Sequence, residues 1–434
     1  MILFDYKKNC GLNSKRIEKT AGELSSYKNE LKMISKKRDY LSAESSIRLP
    51  ADLYIVKHVK ALAKRFDGRS LKYIMLVGIG GSNLGAKAVY EALYSKFDWL
   101  DEKRMPKIIF LDTVSSEKMK LAFTLSKSIK RPDELLIIAT SKSGTTVETV
   151  ANLEVIVNHF QRKFKNIRER IVFITDQDSA LWDMAIKKDI HKLPIPAAAG
   201  GRYSVFSAAG LFPLHLAGIN IDELRQGARQ AVKDCTSGLF ANPALVSAAL
   251  TYLQYKRGCV IFNNFFFNPE YESIGKWQRQ LMAESLGKKK NLKGKVVRAG
   301  ITPMVSVGST DLHSMAQLYF GGPKNIFTNF IYSKSRGEIY LPKNLKFAGL
   351  AEGINGKSLE SLMTAIYSGV KTAYQKNKMP FAAVELAATE KNIGYYLQFR
   401  MIEMMYLAKL MDVNAFDQPG VEDYKREITE LLNK

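Results

Sequence analysis

The stretch YIMLVGIGGSNLGAKAVYEALY, residues 73–94, decides the fold class. The apolar run Tyr73 to Val77 has the length of a buried strand, and the glycines from Gly78 end it. Helical spacing then takes over from Ala86 to Tyr94. The same alternation recurs along the chain. Lys107 to Leu111, Glu134 to Ala139 and Arg170 to Ile174 are short apolar runs, and helix-period segments separate them. Short buried strands alternating with helices predict βαβ units and a parallel sheet. After a helical stretch from Asp222 to Lys256 the pattern resumes, with strands at Cys259 to Phe262 and Ile326 to Ile331. Helices are expected over Leu359 to Tyr374 and Thr389 to Leu410. Residues 1–50 are polar and mixed, and read as helical packing segments.

A length of 434 residues exceeds one ordinary core and predicts two domains. The expected division is a helical segment over 1–50, α/β domains over 51–220 and 221–410, and a C-terminal segment over 411–434. Hydrophobic and charged fractions of 46% and 25% are ordinary for a globular protein. No apolar run has the length of a membrane span, and the first eight residues lack a signal-peptide core, so the expectation is a cytoplasmic protein with no membrane partner. Three scattered cysteines and five dispersed histidines give neither a disulfide framework nor a metal site, so no metal and no cofactor are expected. The formal charge of +23 raises the question of nucleic acid. No aromatic RNA-binding motif or zinc-finger spacing accompanies the lysine runs, and a solvated basic surface with no nucleic-acid partner is the better reading.

Two loops carry the chemistry. The first, Gly78 to Gly85, lets backbone approach a ligand and opens a helix whose free N–H groups suit an anion. A sugar phosphate and a dinucleotide both remain open there. The dinucleotide fingerprint wants a third glycine at Asn83, while Asp112 after the next strand could mimic its ribose-binding acid. The second loop, Ser141-Lys142-Ser143-Gly144-Thr145-Thr146, offers four hydroxyls, an ammonium and a helix start. That donor set suits a phosphate monoester and exceeds what helix capping needs. It is not a nucleotide P-loop, and the nearest echo, Gly356-Lys357-Ser358, has Ala351 where the first glycine must stand. Further candidates are ionisable. Arg202 follows paired glycines and could face an oxyanion. Gln280 and Glu284 share one helical face. His313 follows a helix-start signal, and Gln418 and Lys425 lie around a turn entering the last helix.

Six ordered blocks together resemble the glucose-6-phosphate isomerase family in its shorter bacterial form. They are Gly78 to Gly85, Ser141 to Thr149, Gly200 to Ser207, Gln278 to Lys288, Gly308 to Gln317 and Phe416 to Lys425. The resemblance implies two sugar-isomerase (SIS) domains, each a parallel sheet sandwiched by helices. It also implies reversible aldose–ketose isomerisation of glucose 6-phosphate and fructose 6-phosphate in glycolysis and gluconeogenesis. Carried over by position, Glu284 resembles the base that moves a proton between C1 and C2. His313 and Lys425 resemble the ring-opening pair, and Arg202 the group that stabilises the enediolate. Gly81, Ser82, Ser141, Lys142, Ser143, Gly144, Thr145, Thr146, Gln280 and Gln418 match substrate-binding positions. The family also implies a homodimer in which His313 reaches the neighbouring site.

Two rivals are defined by the same residues. One is a bifunctional phosphoglucose/phosphomannose isomerase; the other is a non-catalytic SIS-type sensor, which would have no reason to keep Glu284, His313 and Lys425 together. The stretch Lys288 to Val297 is long and basic for this family, and reads as a surface loop.

Overall fold

The computed structural model describes residues 3–68, 70–239, 241–333 and 337–434. The chain opens with a strand, β1 (Leu3–Asp5). Then come β2 (Tyr73–Val77), β3 (Lys107–Leu111), β4 (Leu135–Thr140), β5 (Ile171–Thr175) and β6 (His191–Pro194), with a helix between each pair of neighbours. The later strands are β7 (Ile261–Phe266), β8 (Lys288–Lys290), β9 (Val296–Ala299), β10 (Thr302–Val307), β11 (Ile326–Tyr332) and β12 (Phe381–Glu385). The chain is α/β and forms two compact units. One comprises Asn29–Lys233; the other combines the chain up to Lys28 with Asp234–Lys434.

In the Asn29–Lys233 unit the sheet order is β3-β2-β4-β5-β6, and every pairing is parallel. Successive side chains of a strand point to opposite faces. Met75, Val77, Ile137, Ala139, Ile171 and Phe173 join one core cluster with Leu153, Ile156 and Phe160 of the helix Val147–Lys163. The alternate residues Ile74, Leu76, Leu136, Ile138, Val172 and Ile174 are buried as well. Both faces are therefore covered, which is why these strands read as unbroken apolar runs rather than as alternation.

The other unit holds the sheet β1-β12-β11-β7-β10, parallel except for β1 at its edge. Its core is aromatic. The ring of Phe330 lies 4.9 Å from Tyr374, 5.2 Å from Phe381 and 5.8 Å from Phe265, centroid to centroid. The helix Glu390–Leu410 is buried without a break from Ile393 to Ala408. It encloses an Arg400–Glu403 ion pair of 2.8 Å, whose carboxylate also accepts from Ser247 Oγ at 2.5 Å.

Several elements differ from the reading of the sequence. Residues 3–5 are a strand and not helix, because an antiparallel edge strand is selected by backbone pairing and three residues carry no periodicity. The helical stretch Asp222 to Lys256 is two helices, Ile221–Cys235 and Pro243–Lys256. Asn242 caps the second by accepting from Leu245 N at 2.9 Å, and Pro243 sits in its first turn, where its missing N–H costs nothing. Strand β10 was hidden by Pro303, which an edge strand tolerates.

Phe330 sits where the aromatic cluster converges, so Phe330→Ala should lower unfolding free energy by about 3–5 kcal/mol. Chemical denaturation followed by circular dichroism measures it, and an unchanged midpoint would contradict the packing described.

Candidate active site

Strand β4 is buried along its whole length and runs directly into Ser141–Thr146. The start of this loop stays tied to β5. Ser141 N donates to Ile174 O at 3.2 Å, and Thr175 Oγ1 donates to Ser141 O at 2.5 Å. The loop then closes through Ser141, whose Oγ accepts from Gly144 N at 3.1 Å and lies 3.1 Å from Thr146 Oγ1. Gly144 has a φ of +76°, and a Cβ there would meet Leu181 N at 2.5 Å, so only glycine fits. Ser143 and Thr145 are exposed at the tip.

Thr146 occupies the N-cap position of the helix Val147–Lys163, yet its side chain makes no capping bond. Its hydroxyl is engaged with Ser141 instead. Capping therefore does not account for the hydroxyls of this loop, and the helix start keeps the character of an anion site. Lys142 is half-buried, and burial pushes its amine below the ordinary lysine range, against the opposing charge of Asp176.

The glycine loop serves a different purpose from the one a dinucleotide would require. A Cβ on Gly81 would lie 2.1 Å from the carbonyl carbon of Gly201 and 2.6 Å from Arg202 N. Gly81 thus permits main-chain contact with the Gly201–Tyr203 turn. One on Gly85 would meet Val205 Cβ at 2.8 Å. Asn83, fully buried where the fingerprint has its third glycine, donates back to Gly78 O at 2.5 Å. Asp112 is bound by Lys118 and by Lys87, the latter at 3.4 Å. Burial alone would raise its carboxyl, but these ammonium groups hold it below the usual range. Neither residue is placed as a dinucleotide would need. Ser82 ends the turn beside Gly81, and Arg202 is buried, 5.6 Å from the Tyr203 ring centroid, which excludes a surface ion pair.

The remaining candidates belong to the other unit. On the helix Glu272–Leu286, Gln280 Nε2 donates to Glu284 Oε1 at 2.9 Å. The carboxylate is half-buried, and Gln280 Oε1 is a buried acceptor with no partner among the described residues. His313 is exposed in the first turns of the helix Thr310–Gly321. That turn is fixed by Asp311, which accepts from Val307 N at 2.7 Å and from Ser314 Oγ at 2.9 Å. Gln418 is exposed ahead of the turn Pro419–Val421, and Lys425 is paired with Glu422 at 2.9 Å. Among the described residues no hydrogen bond joins His313 to Lys425.

One residue escaped the sequence reading. Lys288, expected at the start of a surface loop, is the buried first residue of the β8–β9 hairpin. A triple lysine run reads as solvated, and nothing local marks its first member as enclosed. The following Lys289 and Lys290 are exposed, as such a run predicts.

Parallel sheets that carry donor-rich loops at the carboxyl ends of their strands define an α/β protein for a small anionic ligand. The phosphoglucose isomerase family matches residues 55–433, and the chain belongs to that family. The glucose-6-phosphate isomerase of Carboxydothermus hydrogenoformans is 31% identical over 371 residues, 84% of this chain and 79% of that one. That of Fusobacterium nucleatum is 33% identical over 369 residues, 83% and 80% of the two chains. Among solved structures, a hypothetical protein from Thermus thermophilus superposes with a TM-score of 0.85 at 26% identity, covering 100% of both chains. A glucose-6-phosphate isomerase from Chlamydia trachomatis gives 0.81 at 21% identity, covering 100% of this chain and 88% of that one, a likeness of fold. Among the described residues, no helix is long and apolar enough to cross a membrane.

The Lys142 amine should acylate with a pH midpoint below that of the exposed lysines, read by peptide mass spectrometry across pH. A bound dianion favours the charged amine, so inorganic phosphate should move that midpoint upward. Phosphate should correspondingly bind more weakly as pH rises through the lowered pKa. An unshifted midpoint with and without phosphate would contradict this environment.

Proposed function

We propose that the chain interconverts glucose 6-phosphate and fructose 6-phosphate, the sugar phosphates in its relatives' reaction. The observation that carries the reading is the 2.9 Å bond from Gln280 to Glu284, which holds a half-buried carboxylate in one orientation. A base that must remove a proton from carbon gains from being fixed before the substrate arrives.

In this reading Ser141, Lys142, Ser143, Gly144, Thr145 and Thr146 hold the phosphate, while Gly81, Ser82, Gln280 and Gln418 bind the sugar. Gln280 Oε1 has no partner among the described residues, which supports its share in this, since a sugar hydroxyl can donate to it. His313 and Lys425 open the ring by moving a proton between the anomeric hydroxyl and the ring oxygen. Glu284 takes the proton from C2 of the open aldose and returns it to C1, while the hydroxyl proton passes from O2 to O1. Negative charge gathers on the two oxygens of the intermediate enediolate, and the Arg202 guanidinium stabilises it. The close seating of Gly81 on the Arg202 turn supports a fixed position for that cation, because a preorganised donor costs no reorganisation during reaction.

The working form in this reading is a cytosolic homodimer in which His313 enters the neighbouring site. The exposure of His313 and of the helix Glu422–Leu432, which has no buried residue, supports it.

Glu284→Gln keeps the shape of the side chain and removes the base. It should lower kcat by about two to four powers of ten in a coupled assay of fructose 6-phosphate conversion. Binding of the sugar phosphate should persist in equilibrium dialysis. Full activity in this variant would remove the mechanism.

A further inference from the structure

The β8–β9 hairpin looks in sequence like a basic surface loop, yet the side chain of Lys288 is only 4% exposed. Its ammonium lies between two segments of the same unit. It donates to the main-chain carbonyl of Glu284 at 2.6 Å and to that of Asp417 at 2.5 Å, and Asp417 Oδ1 is 3.0 Å away. Carbonyl and carboxylate oxygens are the acceptors an ammonium's N–H groups require. The Glu284 carbonyl belongs to the last turn of the helix Glu272–Leu286, where acceptors lack intrahelical donors and the dipole favours a cation. Burial without such partners would be costly for a lysine.

The same hairpin makes a second attachment. Asn291 Nδ2 donates to Asp412 Oδ2 at 2.7 Å, and Leu292 N donates to Asp412 O at 2.8 Å. The segment 412–417 is thus bound at both ends by one hairpin, with Val413 and Ala415 buried between the two attachments. Gln418 is the next residue. Beyond it the helix Glu422–Leu432 has no buried residue within this chain.

We propose that the β8–β9 hairpin is a clasp, with Lys288 as its positioning residue, that registers the arm bearing Gln418 and Lys425 against the helix bearing Glu284. Lys288 acts through the main-chain carbonyls of Glu284 and Asp417 and through the Asp417 carboxylate. Its expected effect on turnover rests on the function proposed above; its effect on the arm does not. A shift of about an ångström in a catalytic constellation is enough to cost a large factor in rate.

Lys288→Met removes the ammonium and keeps an unbranched chain. Hydrogen–deuterium exchange should rise in residues 411–434 of the full-length variant, while β7 and β11 keep their protection. In steady-state kinetics kcat should fall by about a hundredfold. KM for fructose 6-phosphate should rise less than kcat falls, because the phosphate loop is untouched and only Gln418 among the sugar-binding residues lies on the arm. Lys288→Arg keeps the charge in a planar form and should recover part of kcat. Wild-type kcat with unchanged exchange in 411–434 would overturn the clasp. So would an activity loss that tracks the folded fraction in a thermal melt, with exchange raised evenly along the chain. Exchange is read without substrate, so a loosened arm beside an inactive wild type would support the clasp and reject the proposed reaction.

Discussion

In the Asn29–Lys233 unit, the main chain of Gly81 seats directly against the Gly201–Tyr203 turn. Two main chains from loops 120 residues apart meet with no room for a methyl group. Of the glycines after β2, Gly81 permits this approach, Asn83 ties the start of the same loop to Gly78 O, and Arg202 is buried in the facing turn. A larger residue at Gly81 would push the arginine turn away from the glycine loop. The sheet supplies the frame, since β2 and β4 are neighbours and their carboxyl ends emit the glycine loop and the Ser141–Thr146 loop side by side.

In the other unit a comparable role falls to one turn of helix. Gln280 and Glu284 are joined along one face, while the end of the same helix is held through the Lys288 ammonium. The carboxylate orientation and the path of the C-terminal arm are therefore set at opposite ends of Glu284, one through its side chain and one through its carbonyl. Buried polar groups of this kind stabilise little in net terms, but they select one arrangement among several of similar energy.

The architecture was legible where burial is two-sided. Strands β2, β3, β4 and β5 announce themselves as apolar runs within a residue of their observed limits, because helices cover both sheet faces. Edge strands did not. Strand β1 is three residues long, and β10 contains Pro303. That the Ser141–Thr146 loop is more than a helix cap was legible, because its hydroxyls outnumber a cap's needs, and Thr146 engages Ser141 instead of capping. The choice between sugar phosphate and dinucleotide at Gly78–Gly85 was not, since it depends on Asn83 and Asp112 finding partners through folding. The enclosure of Lys288 was hidden for a similar reason. Its partners are a carbonyl four residues earlier and a segment 129 residues later, and no local pattern records the second.

In the proposed reaction a fixed carboxylate moves a proton between two carbons of a sugar phosphate. Proton NMR of glucose 6-phosphate formed from fructose 6-phosphate in deuterium oxide tests it most directly. A half-buried carboxylate that holds the proton between abstraction and return leaves time for exchange with solvent. Deuterium is expected at C2 of the product. Conversion that leaves C2 wholly free of deuterium would contradict it.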